Sequence, residues 1–335
     1  MRPLGRREFL HGLTAAGTAT VFSAHPALVF AEPPPETTTI KLQRSSAICF
    51  APYYVAEDLL RGEGFTDVQY VKEELGATFQ RQLRSGEVDF SVWAAPTLVL
   101  MVDKGDAVVG VTGLHVGCFE LFAVGAVRSI RDLKGKRLAI PAMYGGAHLV
   151  LTSLLAHIGL DPQKDVEWVV RPGPEAMGLL AERKVDAFMG FPPEPQELRA
   201  KNIGHIVVNT TTDRPWSQYF CCMVVSNREF VRKHPVATKR VIRAILKANQ
   251  ICLLEPERVA RLIVDKGYAS QYEYALQTVK GLPFAEWRQY DPADALRFYA
   301  LRLHEAGMIK SSPQRILTQG TDWRFLNELK KELKA

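Results

Sequence analysis

Leu133-Lys134-Gly135-Lys136-Arg137-Leu138-Ala139-Ile140-Pro141-Ala142-Met143-Tyr144-Gly145-Gly146-Ala147-His148 packs three kinds of segment into one short stretch. Lys134-Gly135-Lys136 is a polar turn. Arg137 to Ile140 is a short apolar run that reads as a buried strand, and Pro141 ends it because proline has no N–H for the next ladder bond. Gly145-Gly146 form a turn. From Ala147 to Ile158 the apolar residues Leu149-Val150, Leu154-Leu155 and Ile158 recur at helical spacing. The first N–H groups of that helix have no intrahelical acceptor, so with the helix dipole they can hold an anion. Alone, the stretch is more simply an ordinary strand-to-helix connection.

The chain before it has the same grammar. Ile40–Arg44, Asp67–Val71, Val88–Val92 and Val108–Gly113 read as strands, and Val55–Leu60, Ala77–Leu83 and a segment through Met101 as helices. Beyond the opening stretch, Val166–Val170 and Val185–Met189 read as strands and Glu175–Ala181 as a helix. This alternation predicts a parallel-sheet α/β protein. The segment from Phe79 to Phe90 also echoes Ala176 to Ala187: each is a helix, a polar turn, then Val-Asp opening a strand (Val88-Asp89, Val185-Asp186). The chain therefore reads as two α/β units, with the two aspartates as structural turn or cap residues. After Ser226 only helical patterns follow: Arg228–Leu254, Pro256–Val264, Gln271–Val279, Ala293–Glu305 and Trp323–Leu333.

Composition bounds the function. The 335 residues carry a formal charge of +6 and a mean hydropathy of -0.06, with no Lys/Arg block that would suit nucleic acid. Residues 1–31 resemble a twin-arginine export signal: Arg6-Arg7-Glu8-Phe9-Leu10, a weakly apolar stretch, then Val29-Phe30-Ala31 as a cleavage site. Export to the periplasm by the twin-arginine machinery, with the signal removed, is the expectation. Residues 32–38 read as a linker. The five cysteines are too irregularly spaced for a disulfide framework or a zinc site, and adjacent Cys221-Cys222 read as small buried strand residues. No histidine pair has ligand spacing, and no P-loop, nucleophile elbow or dinucleotide glycine pattern occurs. No metal, cofactor or catalytic residue is expected.

What remains are polar and aromatic residues just past strand ends, where ligands bind in open α/β sheets. These are Tyr53 and Tyr54; Trp93, Ala94, Ala95 and Thr97; Tyr144, Gly145, Gly146, Ala147 and His148; Phe191 and Glu194; and Trp216 and Tyr219. Five such loops in two units favour a ligand cleft.

With these residues the mature chain resembles the periplasmic substrate-binding proteins of ABC importers, in the nitrate/sulfonate/taurine and thiamine-pyrimidine-precursor group. The resemblance rests on Ala51-Pro52-Tyr53-Tyr54-Val55-Ala56, Gly86-Glu87-Val88-Asp89-Phe90, Asp132 to Ala139, Val185-Asp186-Ala187-Phe188 and Asn227-Arg228-Glu229-Phe230-Val231. It implies a type II periplasmic-binding-protein fold: two α/β lobes joined by a two-strand hinge, residues 39–126 and 222–335 forming lobe 1 with a helical C-terminal extension on it, and 127–221 forming lobe 2. It implies a monomer that closes on a small organic solute (sulfonate, pyrimidine or aromatic acid) and delivers it to a permease and its ATPase. Where this group often has a serine or threonine pair, this chain has Gly146-Ala147, which turns the expectation away from a small oxyanion. Two alternatives stand beside it. One is an exported sensor subunit. The other is an enzyme like the fungal thiamine-pyrimidine synthases, which carry an active-site histidine and a lysine-bound pyridoxal phosphate and whose cysteine-rich run Phe220-Cys221-Cys222-Met223 faintly resembles.

Overall fold

Ile40 and Leu42 alternate with polar neighbours and are fully buried on the first strand, β1 (Thr39–Arg44). β1 pairs in parallel with β2 (Asp67–Lys72) on one side and β3 (Phe90–Ala94) on the other. Helices α1 (Ala51–Gly62), α2 (Thr78–Arg84) and α3 (Ala95–Asp103) make the crossovers to and from these strands, and β4 (Val108–Val116) ends the run. The computed structural model describes residues 32–45, 47–72 and 78–334, and the export segment read in residues 1–31 lies outside them. Among the described residues no helix is long and apolar enough to cross a membrane.

A second sheet is built from β5 (Glu120–Ala123), β6 (Lys136–Ile140), β7 (Val166–Val170), β8 (Ala187–Gly190) and β9 (His205–Asn209), with α4 (Gly146–His157), α5 (Gly173–Ala181) and α6 (Glu194–Ala200) between them. The chain then returns to the first sheet as β10 (Phe220–Asn227). The orders are β2-β1-β3-β10-β4 and β7-β6-β8-β5-β9. Each sheet is mixed rather than wholly parallel. β10 is antiparallel to β3 and β4, and β5 is antiparallel to β8 and β9. The reason is topological: each of these strands has just crossed from the other sheet and enters running backwards. Because β5 already belongs to the second sheet, the first crossing lies at 117–119, earlier than the expected boundary at 126. The return lies between Asn209 and Phe220. The two crossings touch at Gly117, whose φ is +60°. A Cβ there would lie 2.3 Å from Thr211 Cα, so only glycine fits.

The Val-Asp repeat has one structural meaning in both halves. Asp89 accepts the Lys41 N–H at 2.8 Å and its own N–H donates to Lys41 O at 2.8 Å. Asp186 accepts the Arg137 N–H at 2.8 Å and donates to Arg137 O at 2.9 Å. Each aspartate clamps the start of its strand onto the neighbouring one, β3 to β1 and β8 to β6.

The C-terminal helices are α7 (Arg228–Lys233), α8 (Pro235–Leu254), α9 (Pro256–Asp265), α10 (Tyr272–Gly281), α11 (Pro292–Glu305), α12 (Pro313–Gly320) and α13 (Arg324–Glu332). The expected single helix from Arg228 breaks at His234, because a residue before proline is pushed out of helical geometry. α8 lies along α1 and α13 along α8. Glu63 at the end of α1 is buried between Arg243 (2.7 Å) and Lys247 (3.1 Å). Glu36, in the expected linker, caps α8 by accepting the N–H groups of Val236 and Ala237, both at 2.9 Å. α11 packs on α3 and also on α4 of the second sheet, so the extension reaches both lobes rather than the first alone.

Candidate functional site

Three connections meet at one place. The chain leaving β1 turns through a short 3-10 turn, Ile48–Phe50, before α1. β3 runs straight into α3, whose Pro96 sits in the first turn, where a missing N–H costs nothing. β6 ends at Ile140 and, through Pro141 to Gly145, enters α4. Between them lies a cavity of about 210 Å³. Pockets for drug-sized ligands run at roughly 300–1,000 Å³, so this one suits a small solute.

Its wall from the first sheet carries Gln43, Ser45, Ser91, Trp93, Ala94 and Thr97, with Cys49, Phe50 and Cys222. The second contributes Pro141, Ala142, Gly145, Gly146, Ala147 and Phe191, and the first crossing contributes Cys118 and Phe119. No Asp, Glu, Lys, Arg or His is among the described lining residues. Ser91 Oγ donates to Gln43 Oε1, and Gln43 Nε2 donates to Gln82 Oε1 at 3.0 Å. Gly145 caps α4 without a side-chain hydrogen bond, so the helix presents backbone donors at the cavity wall. A Cβ on Gly146 would lie 3.1 Å from both Ala94 Cβ and Phe119 Cζ. The glycine is what lets the two lobes approach here, and it leaves no room for a hydroxyl.

Of the residues expected at the site, Trp93, Ala94, Thr97, Gly145, Gly146, Ala147 and Phe191 line this cavity. Ala95 is buried at the start of α3. Tyr53 and Tyr54 lie not in a loop but in the first turn of α1, which Ala51-Pro52 opens, and both are fully buried. Tyr53 Oη accepts the Gln43 N–H at 3.1 Å and donates to Phe90 O at 2.7 Å. Tyr54 Oη donates to Ser45 O at 2.7 Å, with its ring stacked on Tyr268 at 3.9 Å. They sit behind the wall and hold two of its residues.

Tyr144 is at the rim, half exposed at φ +62°, with Lys104 Nζ 5.4 Å from its ring centre. His148 turns away from the cavity: its Nδ1 accepts the Tyr144 N–H at 3.2 Å and its ring meets Trp168 at 4.7 Å. Burial pulls its pKa down to about 4, so the ring is neutral. Glu194 faces Gly173 and Gly190 rather than the cavity and accepts the Phe191 N–H at 3.1 Å. Burial, with the nearby Glu197 charge, pushes its carboxyl up to about 7, against the Phe191 hydrogen bond. Trp216 packs on His157 and Phe298, and Tyr219 stacks on Phe298 at 4.1 Å, at the seam with α11.

Sequence reading missed Gln43, Ser45, Ser91, Phe119 and the thiols of Cys49, Cys118 and Cys222. Gln43 and Ser91 lie inside strand patterns, where a polar residue has no local signature of a ligand.

A profile of the NMT1-like family matches residues 33–264. The chain is 23% identical over 234 residues to 4-amino-5-hydroxymethyl-2-methylpyrimidine phosphate synthase of Saccharomyces cerevisiae, a match covering 64% of this chain and 67% of that one. It is 23% identical over 317 residues to the nitrate/nitrite binding protein NrtA of Nostoc, covering 80% and 71%. Among solved structures, the periplasmic nitrate-binding protein NrtA from Synechocystis superposes with a TM-score of 0.74 at 17% identity, over 90% of each chain. The alkanesulfonate-binding protein SsuA from Xanthomonas axonopodis, bound to MOPS, gives 0.69 at 17% identity, over 88% and 99%. These likenesses establish the two-lobed periplasmic-binding-protein fold. With a profile match that spans most of the described residues, this chain belongs to the NMT1-like family.

Proposed function

We propose that the protein is the exported solute-binding component of an ABC importer. It closes its two lobes on one small organic solute and presents the closed form to a permease and its ATPase. The observation that carries this reading is the cavity between the two sheets, lined from both lobes. Closure around a ligand needs only that the ligand touch both walls better when they are together.

The wall chemistry narrows the ligand. An inorganic or sulfonate anion would enter a cavity with no cationic side chain among its described lining residues, with only helix α4's N-terminus to meet its charge. A neutral, flat heterocycle fits better: Trp93, Phe50, Phe119 and Phe191 offer aromatic surface, and Ser45, Ser91 and Thr97 offer hydrogen bonds. A pyrimidine is the solute class we assign. Likeness to the yeast synthase raises an enzymatic reading. Among the described lining residues, however, there is no lysine to form a Schiff base with a cofactor aldehyde.

The test is a thermal-shift and calorimetric comparison of neutral pyrimidines with nitrate and alkanesulfonates. A pyrimidine at about a hundred times its Kd should stabilise the fold by about 2.7 kcal/mol and leave the chamber chemically unchanged. Saturable binding of nitrate or a sulfonate, with no response to any neutral ring, would overturn the ligand class. Turnover of the bound ring would overturn the binding-protein reading.

A further inference from the structure

Three thiols and one imidazole converge beneath the cavity floor. Cys49 comes from the 3-10 turn after β1, His115 from the end of β4, Cys118 from the first crossing and Cys222 from β10. All four are buried, and the three Sγ atoms and a ring nitrogen of His115 lie within 4.8 Å of one another. Sequence spacing shows no metal motif because only His115 and Cys118 are neighbours in the chain; the fold brings the others.

The imidazole is already set for a ligand. Its Nδ1 lies 2.8 Å from Gly117 O. A carbonyl can only accept, so Nδ1 carries a proton, and in the neutral ring Nε2 is the nitrogen with the lone pair. Nε2 is buried in a fully buried residue and has no hydrogen-bond partner. A histidine that donates from one nitrogen to a carbonyl, with three thiols clustered near its ring, has an arrangement found at metal centres. The backbone is held for it as well. Cys118 has φ +141°, rare for a residue with a side chain. Thr210 Oγ1 fixes it by accepting the N–H groups of Cys118 at 3.2 Å and Phe119 at 3.0 Å.

We propose that Cys49, His115, Cys118 and Cys222 form a closed four-coordinate site for one thiophilic d10 cation, with zinc(II) as the probe. Tetrahedral zinc, at ~2.3 Å from sulfur and ~2.0 Å from nitrogen, sets its donors roughly 3.5–3.8 Å apart, so the cluster needs to contract by only about an ångström. On binding, the three thiols release their protons to solvent and the neutral imidazole gives its lone pair; nothing is oxidised or reduced. The ion would tie the loop after β1 to β4, to the first crossing and to β10, and so stiffen the floor shared by both lobes. The assignment does not depend on which solute fills the cavity above.

The competing fate of these thiols is a bond between Cys118 and Cys221, whose Sγ atoms are 3.1 Å apart. The experiment is a cobalt(II) titration of the full reduced chain, followed by displacement with zinc. The expected result is one cobalt per chain, with thiolate-to-metal charge-transfer bands and the intense ligand-field bands of a tetrahedral site, both abolished by one equivalent of zinc. Cys222→Ser and His115→Gln should each lose those bands, while Cys252→Ser, with its thiol on α8, keeps them. Should either variant fail to fold, alkylation of the wild type decides: zinc should protect Cys49, Cys118 and Cys222 together. A folded wild type that takes up no stoichiometric cobalt overturns the site. So does a Cys118–Cys221 disulfide that survives treatment with reductant and excess zinc, or bands that survive both substitutions.

Discussion

Glu194 gives the fold a pH dependence whose sign is opposite to that of an ordinary ion-paired acid. Its carboxyl is wedged where a Cβ on Gly173 would lie 2.0 Å from Oε1, and a Cβ on Gly190 3.0 Å from Oε2. Burial against these backbones raises its pKa from 4.5 to about 7. Between those values the folded chain holds a proton that the unfolded chain has lost, so stability falls as pH rises through the window and levels off above it. The full shift would correspond to about 3 kcal/mol. The side chain keeps some contact with solvent, and screening there reduces the expected effect to roughly 1–2 kcal/mol. Glu194→Gln removes the titration and keeps an amide oxygen for the Phe191 N–H. In urea unfolding followed from acid to mildly alkaline pH, the wild type should lose this amount across the window and the variant should not. Near pH 8 the variant should therefore be the more stable by ~1–2 kcal/mol. Parallel pH profiles for the two proteins would refute the reasoning, because the slope would then belong to other groups.

Gly146→Val should weaken solute binding by more than roughly tenfold while leaving the melting temperature within a few degrees. Its side chain lands on Ala94 of the facing lobe and Phe119 of the first crossing, where a Cβ alone would already be 3.1 Å away; isothermal titration and a melt check this. Tyr144→Ala removes the ring that Lys104 faces across the rim, a contact worth about 0.5–1 kcal/mol, and should raise Kd roughly two- to fivefold with no change in ligand preference. Asp89→Ala and Asp186→Ala should each cost about 1–3 kcal/mol in denaturant unfolding, since each strands a backbone N–H of the neighbouring strand. A loss at one site only would break the equivalence of the two halves.

What the sequence makes legible is local. Leu133 to His148 folds as read, because the turn, strand and helix signals are each complete within a few residues: Gly135 at φ +73°, β6, then α4 from Gly146. The Val-Asp repeat is legible for the same reason, and the two aspartates carry the structural role assigned to them. Proline misled where its two meanings compete. Ala51-Pro52 reads as a strand-ending loop but opens α1, which turns Tyr53 and Tyr54 from cavity candidates into buried residues behind the wall. β5 and β9 are short, and their partners lie far along the chain, so nothing nearby marks them. The cavity's polar atoms and the thiol cluster belong to the same class. Cys49 and Cys222 meet only because β10 returns between β3 and β4, a pairing that local pattern cannot encode.

The two lobes do different jobs in this cavity. Side chains that can hydrogen-bond a solute, Gln43, Ser45, Ser91 and Thr97, all come from the first sheet and its helices. Gln43 is held from behind by Tyr53, Gln82 and Ser91, and the Ser45 carbonyl by Tyr54, so this wall is braced by hydrogen bonds of the protein itself. Among the described lining residues, the second lobe brings Pro141, Ala142, Gly145, Gly146, Ala147 and Phe191: backbone donors and apolar surface, with no polar side chain. On the proposed reading, side-chain hydrogen bonds to a solute come from the first lobe, while the second adds the Phe191 ring and the backbone donors of α4. α11, packed on both α3 and α4, lies outside the cavity and adds interlobe contact that owes nothing to the ligand. Differential binding energy is then needed only for the remaining part of closure, which lets a solute too small to span a wide cleft still bring the walls together.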